Sequence, residues 1–357
     1  MALSFPRLLA VNSRETFRAR RMKIMELVEE DSLILSDPTH IYYMTGLQAA
    51  LDSSEQAVIR SGPIFLGLSR NGSTFLLAGR SSLVNPFWGD ELIFDSRTLF
   101  EGNLYTYEDY EISQRVVAPL DFVAEELGEV MEEMRSRRGF ELKRLGIEEW
   151  HLPQGIADRL KVEFPTITLS GISSALRKMR LRKDQLEIER ISEGIGRLRT
   201  VLETAISLAS VGETEIGLLE KLTSSFRERY GAESPLLGGI LSGRRTLEVV
   251  GNATAKKLES REPVILVLQT RVDGYWARAS ATIRVGGKAG DGEEELEALV
   301  DRLLDAGGVA LVQGQTAAGV IEQGMVCVLT IGNYENPSTS LRSSACYAVG
   351  KDRATRL

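Results

Sequence analysis

The chain has 357 residues, 43% of them hydrophobic and 26% charged, a composition typical of a globular protein of about two domains. The net charge of −7 disfavours nucleic-acid binding through phosphate contacts, which normally needs a basic surface. No apolar stretch approaches the ~18 residues of a membrane span, and the run at 8–11 is too short for a signal peptide. We therefore expect a soluble, cytoplasmic protein that binds neither nucleic acid nor membrane.

Cysteine and histidine are both scarce. The two cysteines, Cys327 and Cys346, lie in apolar runs typical of strands, so buried thiols are expected and a disulfide framework is not. The only histidines are His40 and His151, for which we expect surface or helix-end positions. Any histidine-based catalytic or metal site would have to use one of these two.

The first half of the chain alternates helix and strand signals, which predicts an α/β domain. An Asn-Gly turn at 71–72 between two apolar runs indicates a hairpin. The predicted elements are a helix at 14–29, a strand at 32–35, hairpin strands at 64–68 and 74–77, a helix at 117–136 and a strand at 145–147.

Two long helices open the second half. Asp184 and Glu187 form a predicted capping box, and Thr214 is the predicted N-cap of the next helix, which ends at Gly231. Their expected apolar stripes are Ile188, Ile191, Ile195, Leu198 and Leu202, then Ile216, Leu219, Leu222 and Phe226. The basic run at 177–183 is interpreted as a solvated linker before the first of these helices, with an anion site as the alternative.

Strands dominate the remainder. An apolar run at 263–268 and a second arm at 275–285 flank Asp273-Gly274, a pair that favours a tight hairpin turn. A helix is predicted at 293–306, and the last strands at 325–331 and 345–349.

Four segments resemble a known superfamily. They are residues 37–47 (DPTHIYYMTGL), 180–188 (RLRKDQLEI), 210–215 (SVGETE) and 324–326 (GMV). In this order they resemble creatinase, prolidase and methionine aminopeptidase, and among these most of all the Xaa-Pro peptidases. The resemblance implies a creatinase-type α/β N-terminal domain at 1–172 and an α+β "pita-bread" domain with a curved antiparallel sheet at 173–357.

The resemblance also places the family's site on this chain. The substrate-side histidine falls on Val250, and the two metal-binding aspartates fall on Val267 and Arg278. The two metal-binding glutamates fall on Thr330 and on or near Ser344. The family's metal-binding histidine lies in a loop preceded by a helix, and neither has a counterpart between residues 311 and 324, so we expect a truncated domain.

These substitutions remove the chemistry of a metallopeptidase. Valine, threonine and serine supply no anionic oxygen, and the permanent charge of Arg278 repels a divalent cation. We therefore expect no metal, no cofactor and no catalytic residue. The favoured hypothesis is a non-catalytic homologue of the Xaa-Pro peptidases that binds a peptide, a small carboxylate or a protein partner. The alternatives are a divergent hydrolase, or an inactive subunit that pairs with an active relative.

Two further points stay open from the sequence. Arg278 is either tied to a protein carboxylate such as Glu248 or offered to the carboxylate of a ligand. The pair Arg244-Arg245 either lines the cleft or lies in a plain surface loop. By resemblance to creatinase and prolidase, the chain is expected to form a homodimer to which the N-terminal domain contributes.

Overall fold

The structure, a computed structural model, describes residues 11–47, 63–79, 102–108, 110–111, 115–116, 120–231, 234–248, 251–286, 291–311, 321–333 and 341–357. The chain divides into two compact units after Arg180. The sequence placed this boundary at residue 172. The helix Ser173–Leu181 lies between the two positions and contributes Leu176 and Met179 to the core of the first unit.

A six-stranded mixed sheet forms the centre of the first unit. In chain order the strands of this unit are β1 (Ser32–Leu35), β2 (Phe65–Ser69), β3 (Thr74–Gly79), β4 (Asn103–Tyr107), β5 (Tyr110–Glu111), β6 (Arg115–Val116), β7 (Arg144–Ile147) and β8 (Thr168–Gly171). The sheet has the order β4-β3-β2-β1-β7-β8, and β5 pairs with β6 separately. Strands β1, β2 and β3 are buried along their whole length, which explains why they appear as continuous apolar runs.

Helices cover both faces of this sheet. They are α1 (Val11–Leu27), α2 (Pro38–Thr45), α3 (Leu120–Arg138), α4 (Gln154–Glu163) and α5 (Ser173–Leu181). Helices α1, α2 and α5 bury Ile24, Ile41 and Leu176 against one face, while α3 and α4 bury Leu127 and Leu160 against the other. The predicted α/β domain is confirmed, and each element predicted in it occurs within a few residues of its predicted bounds.

The second unit begins with two capped helices, α6 (Gln185–Leu208) and α7 (Glu215–Tyr230). The capping box of Asp184 and Glu187 is confirmed, and the Thr214 hydroxyl accepts the amide of Gly217. Gly231 ends α7 with a φ of 84°, a left-handed value that glycine adopts without strain.

Strands β9 (Leu236–Ser242), β10 (Pro263–Val272) and β11 (Tyr275–Arg284) form an antiparallel sheet in the order β11-β10-β9. The predicted hairpin of β10 and β11 is confirmed, and both turn residues, Asp273 and Gly274, have positive φ. A short 3-10 helix, Gly243–Leu247, follows β9.

The remaining elements are α8 (Asp291–Ala310), β12 (Val326–Asn333), β13 (Leu341–Val349) and β14 (Ala354–Arg356). These strands form a second antiparallel sheet in the order β12-β13-β14. The four strands predicted for one curved sheet are therefore divided between two three-stranded sheets, whose junction lies between β11 and β13. None of the helices in the described ranges has the length and apolar character that crossing a bilayer requires.

Two sequence interpretations differ from the structure. Ile216, predicted to belong to the apolar stripe of α7, is 47% exposed. Leu218 is buried in its place. The basic run at 177–183 is not simply a linker, since its first five residues belong to α5. Within α5, the Arg177 guanidinium lies 4.6 Å from the centre of the exposed Trp150 ring.

Both histidines lie close to β1. His40, on α2, contacts the buried carboxylate of Glu148, which also accepts the amides of Ser36 and Asp37. His151 Nδ1 lies 3.3 Å from the Ser36 hydroxyl. Because Glu148 directly follows β7, these contacts fasten the start of α2 to the ends of β1 and β7. The expected helix position of His40 is confirmed, but it is partly buried and has a structural partner.

Asp37 provides a test of this region. Burial opposes ionisation of its carboxyl, but hydrogen bonds from the Thr39 hydroxyl and amide outweigh burial and lower the pKa of Asp37. A lowered pKa in the folded state stabilises the fold above the unfolded value of about 3.9, and that stability is lost as pH falls through the folded pKa. We expect Asp37→Ala to cost about 1 kcal/mol at neutral pH in urea unfolding.

Asp37→Asn is the matched control, because asparagine caps equally well but does not titrate. The wild-type advantage over Asp37→Asn should shrink as the pH is lowered from 7 to 3. A constant difference across that range would contradict the assignment.

Candidate functional site

The hairpin of β10 and β11 places the predicted site residues on one side of its sheet. Val264, Leu266 and Leu268 of β10 pack into the core formed with α6 and α7, as do Ala277 and Ala279 of β11. Since side chains alternate along a strand, Val267 and Arg278 point to the opposite side. The strand register confirms this, because Val267 is opposite Ser280 and Gln269 is opposite Arg278.

The two sheets meet through hydroxyl groups. The Ser280 amide donates to Ser344 Oγ at 2.8 Å, and Ser280 Oγ donates to the same atom at 3.0 Å. Two residues further along each strand, the Arg342 amide donates to Thr282 Oγ1 at 2.8 Å. Side-chain hydroxyls thus occupy the places that backbone carbonyls would take in a continuous sheet. We call these four residues the hydroxyl seam.

The hydroxyl seam brings the predicted site positions together. Val267 is opposite Ser280, Ser280 is bonded to Ser344, and Ser344 is opposite Thr330 on β12. Arg278 is two residues from Ser280 on the same side of β11. Val250 lies outside the described residues, but its neighbour Gly251 crosses β9, where a Cβ built on Gly239 would lie 2.1 Å from the Gly251 carbonyl oxygen.

Arg278 is exposed, and no carboxylate among the described residues pairs with it. The partner proposed for it from the sequence, Glu248, instead accepts from Arg245 at 3.2 Å. Its surroundings on the same side of the hairpin are Gln269, which is exposed, and Trp276, whose ring is 49% exposed. The position thus presents a cation beside an amide and an aromatic ring.

Arg245 is engaged in a buried network. The carboxylate of Glu215, fully buried at the start of α7, accepts hydrogen bonds from Ser242, Thr254 and Arg245. Lys256 Nζ donates to Ser242 Oγ at 3.0 Å and to the carboxylate of Glu262 at 2.8 Å. Arg245 is therefore more than a plain surface-loop residue, because its side chain ties residues 251–262, which we call the covering loop, to the start of α7. Sequence inspection missed this role of Glu215.

The thiols supply no reactive group. Cys346 is buried, and burial raises its pKa to about 11. Cys327 is half-buried on β12, and burial raises its pKa as well. Both therefore stay protonated at neutral pH, and the expectation of a buried thiol is confirmed for Cys346.

Comparison with known proteins agrees with this architecture. Residues 18–182 match the family model of the Creatinase/Prolidase N-terminal domain. A Bacillus subtilis (strain 168) protein named uncharacterized peptidase YqhT is 25% identical over 229 residues, which cover 59% of this chain and 64% of that protein. The match thus spans less than two thirds of the length of that relative.

Solved structures extend the likeness to both units. The X-Pro aminopeptidase of Thermotoga maritima has a TM-score of 0.70 at 12% identity, with 95% of this chain and 96% of that one covered. The Xaa-Pro dipeptidase of Bacillus anthracis gives 0.70 at 16%, covering 96% and 97%, and the prolidase of Pyrococcus furiosus gives 0.66 at 16%, covering 94% and 98%. The chain has the pita-bread architecture of the creatinase/prolidase superfamily. The helix and loop predicted to be missing would fall at residues 312–320, outside the described residues.

The residues at the site do not fit the metal ions that the superfamily implies. The four described positions offer an alkyl group, a guanidinium and two hydroxyls, and none of these binds a divalent cation as a carboxylate does. Nowhere in the described part of the chain do three or more His, Cys, Asp or Glu residues cluster in a way that could hold an ion. We therefore derive no metal-dependent step.

The hydroxyl seam can be tested by mutation. Ser344→Ala removes the acceptor of the Ser280 amide, which is buried, so we expect a loss of about 1–2 kcal/mol in the free energy of unfolding. The matched control is Ser343→Ala, since Ser343 is also half-buried but its hydroxyl makes no hydrogen bond to a described residue. Urea denaturation of both variants measures the difference, and equal stabilities would show that the seam contributes nothing.

Proposed function

We propose that this chain is a non-catalytic member of the creatinase/prolidase superfamily that binds the carboxylate of a peptide or small molecule through Arg278. The proposal rests on which types of residue occupy the site. Of the four described positions at which the superfamily places metal-binding carboxylates, three are neutral and the fourth is an arginine. A guanidinium grips a carboxylate with two parallel hydrogen bonds.

The surroundings of Arg278 support an anionic ligand. Arg278 is exposed and is not paired with any described carboxylate, so it remains available to a ligand. Gln269, directly opposite, is exposed and adds an amide that can donate to the same group. Val267 and Trp276 supply apolar surface on either side, where the uncharged body of a ligand can lie.

Metal binding tests the non-catalytic part of the proposal. An ion that bound the native state would stabilise it by roughly 2.7 kcal/mol at a hundred times its Kd. We expect no increase in Tm of the purified protein with Mn²⁺, Co²⁺ or Zn²⁺, because the site supplies no anionic ligand. Hydrolysis of an Xaa-Pro dipeptide, or of a peptide with an Xaa-Pro amino terminus, would instead favour the divergent hydrolase.

Carboxylate binding tests the other part. By calorimetry with a panel of short peptides, we expect binding to depend on a free carboxylate, so that C-terminally amidated versions bind more weakly. Arg278→Ala should weaken binding of the carboxylate forms by about tenfold or more, a loss of about 1.4 kcal/mol, and Arg278→Lys should restore part of it. Arg302→Ala, which removes an exposed arginine from α8, is the matched control.

Equal binding by wild type and Arg278→Ala would contradict the carboxylate site. In that case a protein-binding scaffold, or an inactive subunit that pairs with an active relative, becomes the better hypothesis. Co-purification with an active relative from the source organism separates those two.

A further inference from the structure

An exposed tryptophan lies beside Arg278 on the same side of the β10–β11 hairpin. Trp276 is two residues before Arg278 on β11, so both side chains point away from the core of the second unit. Ala277, between them, is buried on the core side, in agreement with this alternation. An indole is the largest apolar side chain, yet this one is 49% exposed. The ring therefore has apolar surface that a ligand at Arg278 can cover.

Arg271 fixes the position of this ring from the neighbouring strand. The register places Arg271 of β10 directly opposite Trp276. Its guanidinium carbon lies 5.8 Å from the centre of the ring, within the range of a cation–π interaction. A cation over one face of the indole holds the ring in one orientation before a ligand arrives. Less conformational freedom is then lost when a ligand contacts the other face.

The hairpin thus presents groups of different chemistry in a fixed order. Gln269 is opposite Arg278, and Arg271 is opposite Trp276, so a cation with its amide neighbour lies next to a ring with its own cation. Neighbouring positions on one side of a strand are about 7 Å apart. The carboxylate and the side chain of a C-terminal residue leave the same Cα atom. A carboxylate bound to Arg278 therefore leaves that side chain within reach of Trp276.

We infer that Trp276 is a specificity-determining residue of the carboxylate site, and that it selects a peptide whose C-terminal residue carries an aromatic side chain. The inference rests on the proposed binding of a carboxylate by Arg278, and adds which residue must bear that carboxylate. Two aromatic rings in an offset or edge-to-face arrangement gain more than burial of the same apolar area alone. An aliphatic side chain gains burial only, and glycine gains neither.

The two arginines determine which side chains the site rejects. Arg271 and Arg278 are diagonal neighbours across the ladder, a separation of about 7–8 Å. A basic side chain of the ligand would be repelled by both guanidinium groups and would compete with Arg271 for the ring of Trp276. Peptides that end in lysine should therefore bind most weakly. An acidic side chain would be attracted by charge but gains nothing from the indole, so it separates recognition by charge from recognition by the ring.

Calorimetry with Gly-Gly-X tripeptides tests the inference, where X is Phe, Leu, Gly, Glu or Lys and each peptide has either a free or an amidated C-terminus. For wild type we expect Gly-Gly-Phe to bind about tenfold more tightly than Gly-Gly-Gly, with Gly-Gly-Leu between them and Gly-Gly-Lys weakest. Trp276→Ala should reduce the preference for Phe over Gly to about twofold or less. Its preference for free over amidated peptides should persist, because Arg278 is unchanged.

Two further variants control for effects on folding. Trp276→Phe keeps a ring at the position and should retain the order Phe, Leu, Gly. Trp150→Ala is the matched control, because it removes a 61% exposed indole from the first unit and should leave every preference as in wild type. Intrinsic fluorescence gives an independent measurement. The change in emission on addition of Gly-Gly-Phe should be lost in Trp276→Ala and kept in Trp150→Ala.

The outcomes separate this inference from the site on which it rests. If wild type binds no peptide, or binds free and amidated peptides equally, the peptide-carboxylate site and the role of Trp276 are both wrong. If binding depends on the free carboxylate but Trp276→Ala keeps the preference for Phe, only the role of Trp276 is wrong. Tighter binding of Gly-Gly-Glu than of Gly-Gly-Phe would also overturn that role, since charge rather than the ring would then select the ligand.

Discussion

The second unit depends on one buried charge. Glu215 is fully buried, and its carboxylate is tolerated there only because Ser242, Thr254 and Arg245 all donate to it. It lies in the first turn of α7, where the helix dipole favours a negative charge. The same carboxylate therefore joins the start of a helix, the end of β9 and the loop that leads back to β10. The orientation of the covering loop over the sheet follows from that junction.

Much of the fold was predictable because the signals that specify it are local. The capping box at Asp184, and the hairpin register that follows from a two-residue turn at Asp273-Gly274, need only nearby residues. The exposure of Ile216 was not predictable, because the anchored Glu215 rotates the first turn of α7 so that Leu218 faces the core. Helix α5 was missed because its basic side chains mask the two apolar residues that it buries.

Only part of the site was predictable from the sequence. Counting back from the turn pairs Val267 with Ser280, so the position of Ser280 could have been found from sequence. The bond from Ser280 to Ser344 could not, because it joins strands 64 residues apart whose approach depends on tertiary packing. The pairing of Glu248 with Arg245 is local, since the two residues are three positions apart, and it could have been considered from the sequence. That pairing leaves Arg278, at a position where the resemblance places a metal-binding aspartate, unpaired among the described residues.

The crossing of β9 by the loop at Gly251 has a consequence for how such chains evolve. A Cβ on Gly239 would lie 2.1 Å from the Gly251 carbonyl oxygen, and one on Gly238, at a φ of 150°, would lie 2.1 Å from the Val267 carbonyl oxygen. Both glycines are required by the path of the backbone. Selection for folding alone is thus expected to retain them even in a chain of this fold that has no metal ligand. Searches keyed to catalytic side chains would then overlook degenerate members of the superfamily, whereas searches keyed to backbone requirements of this kind would recover them.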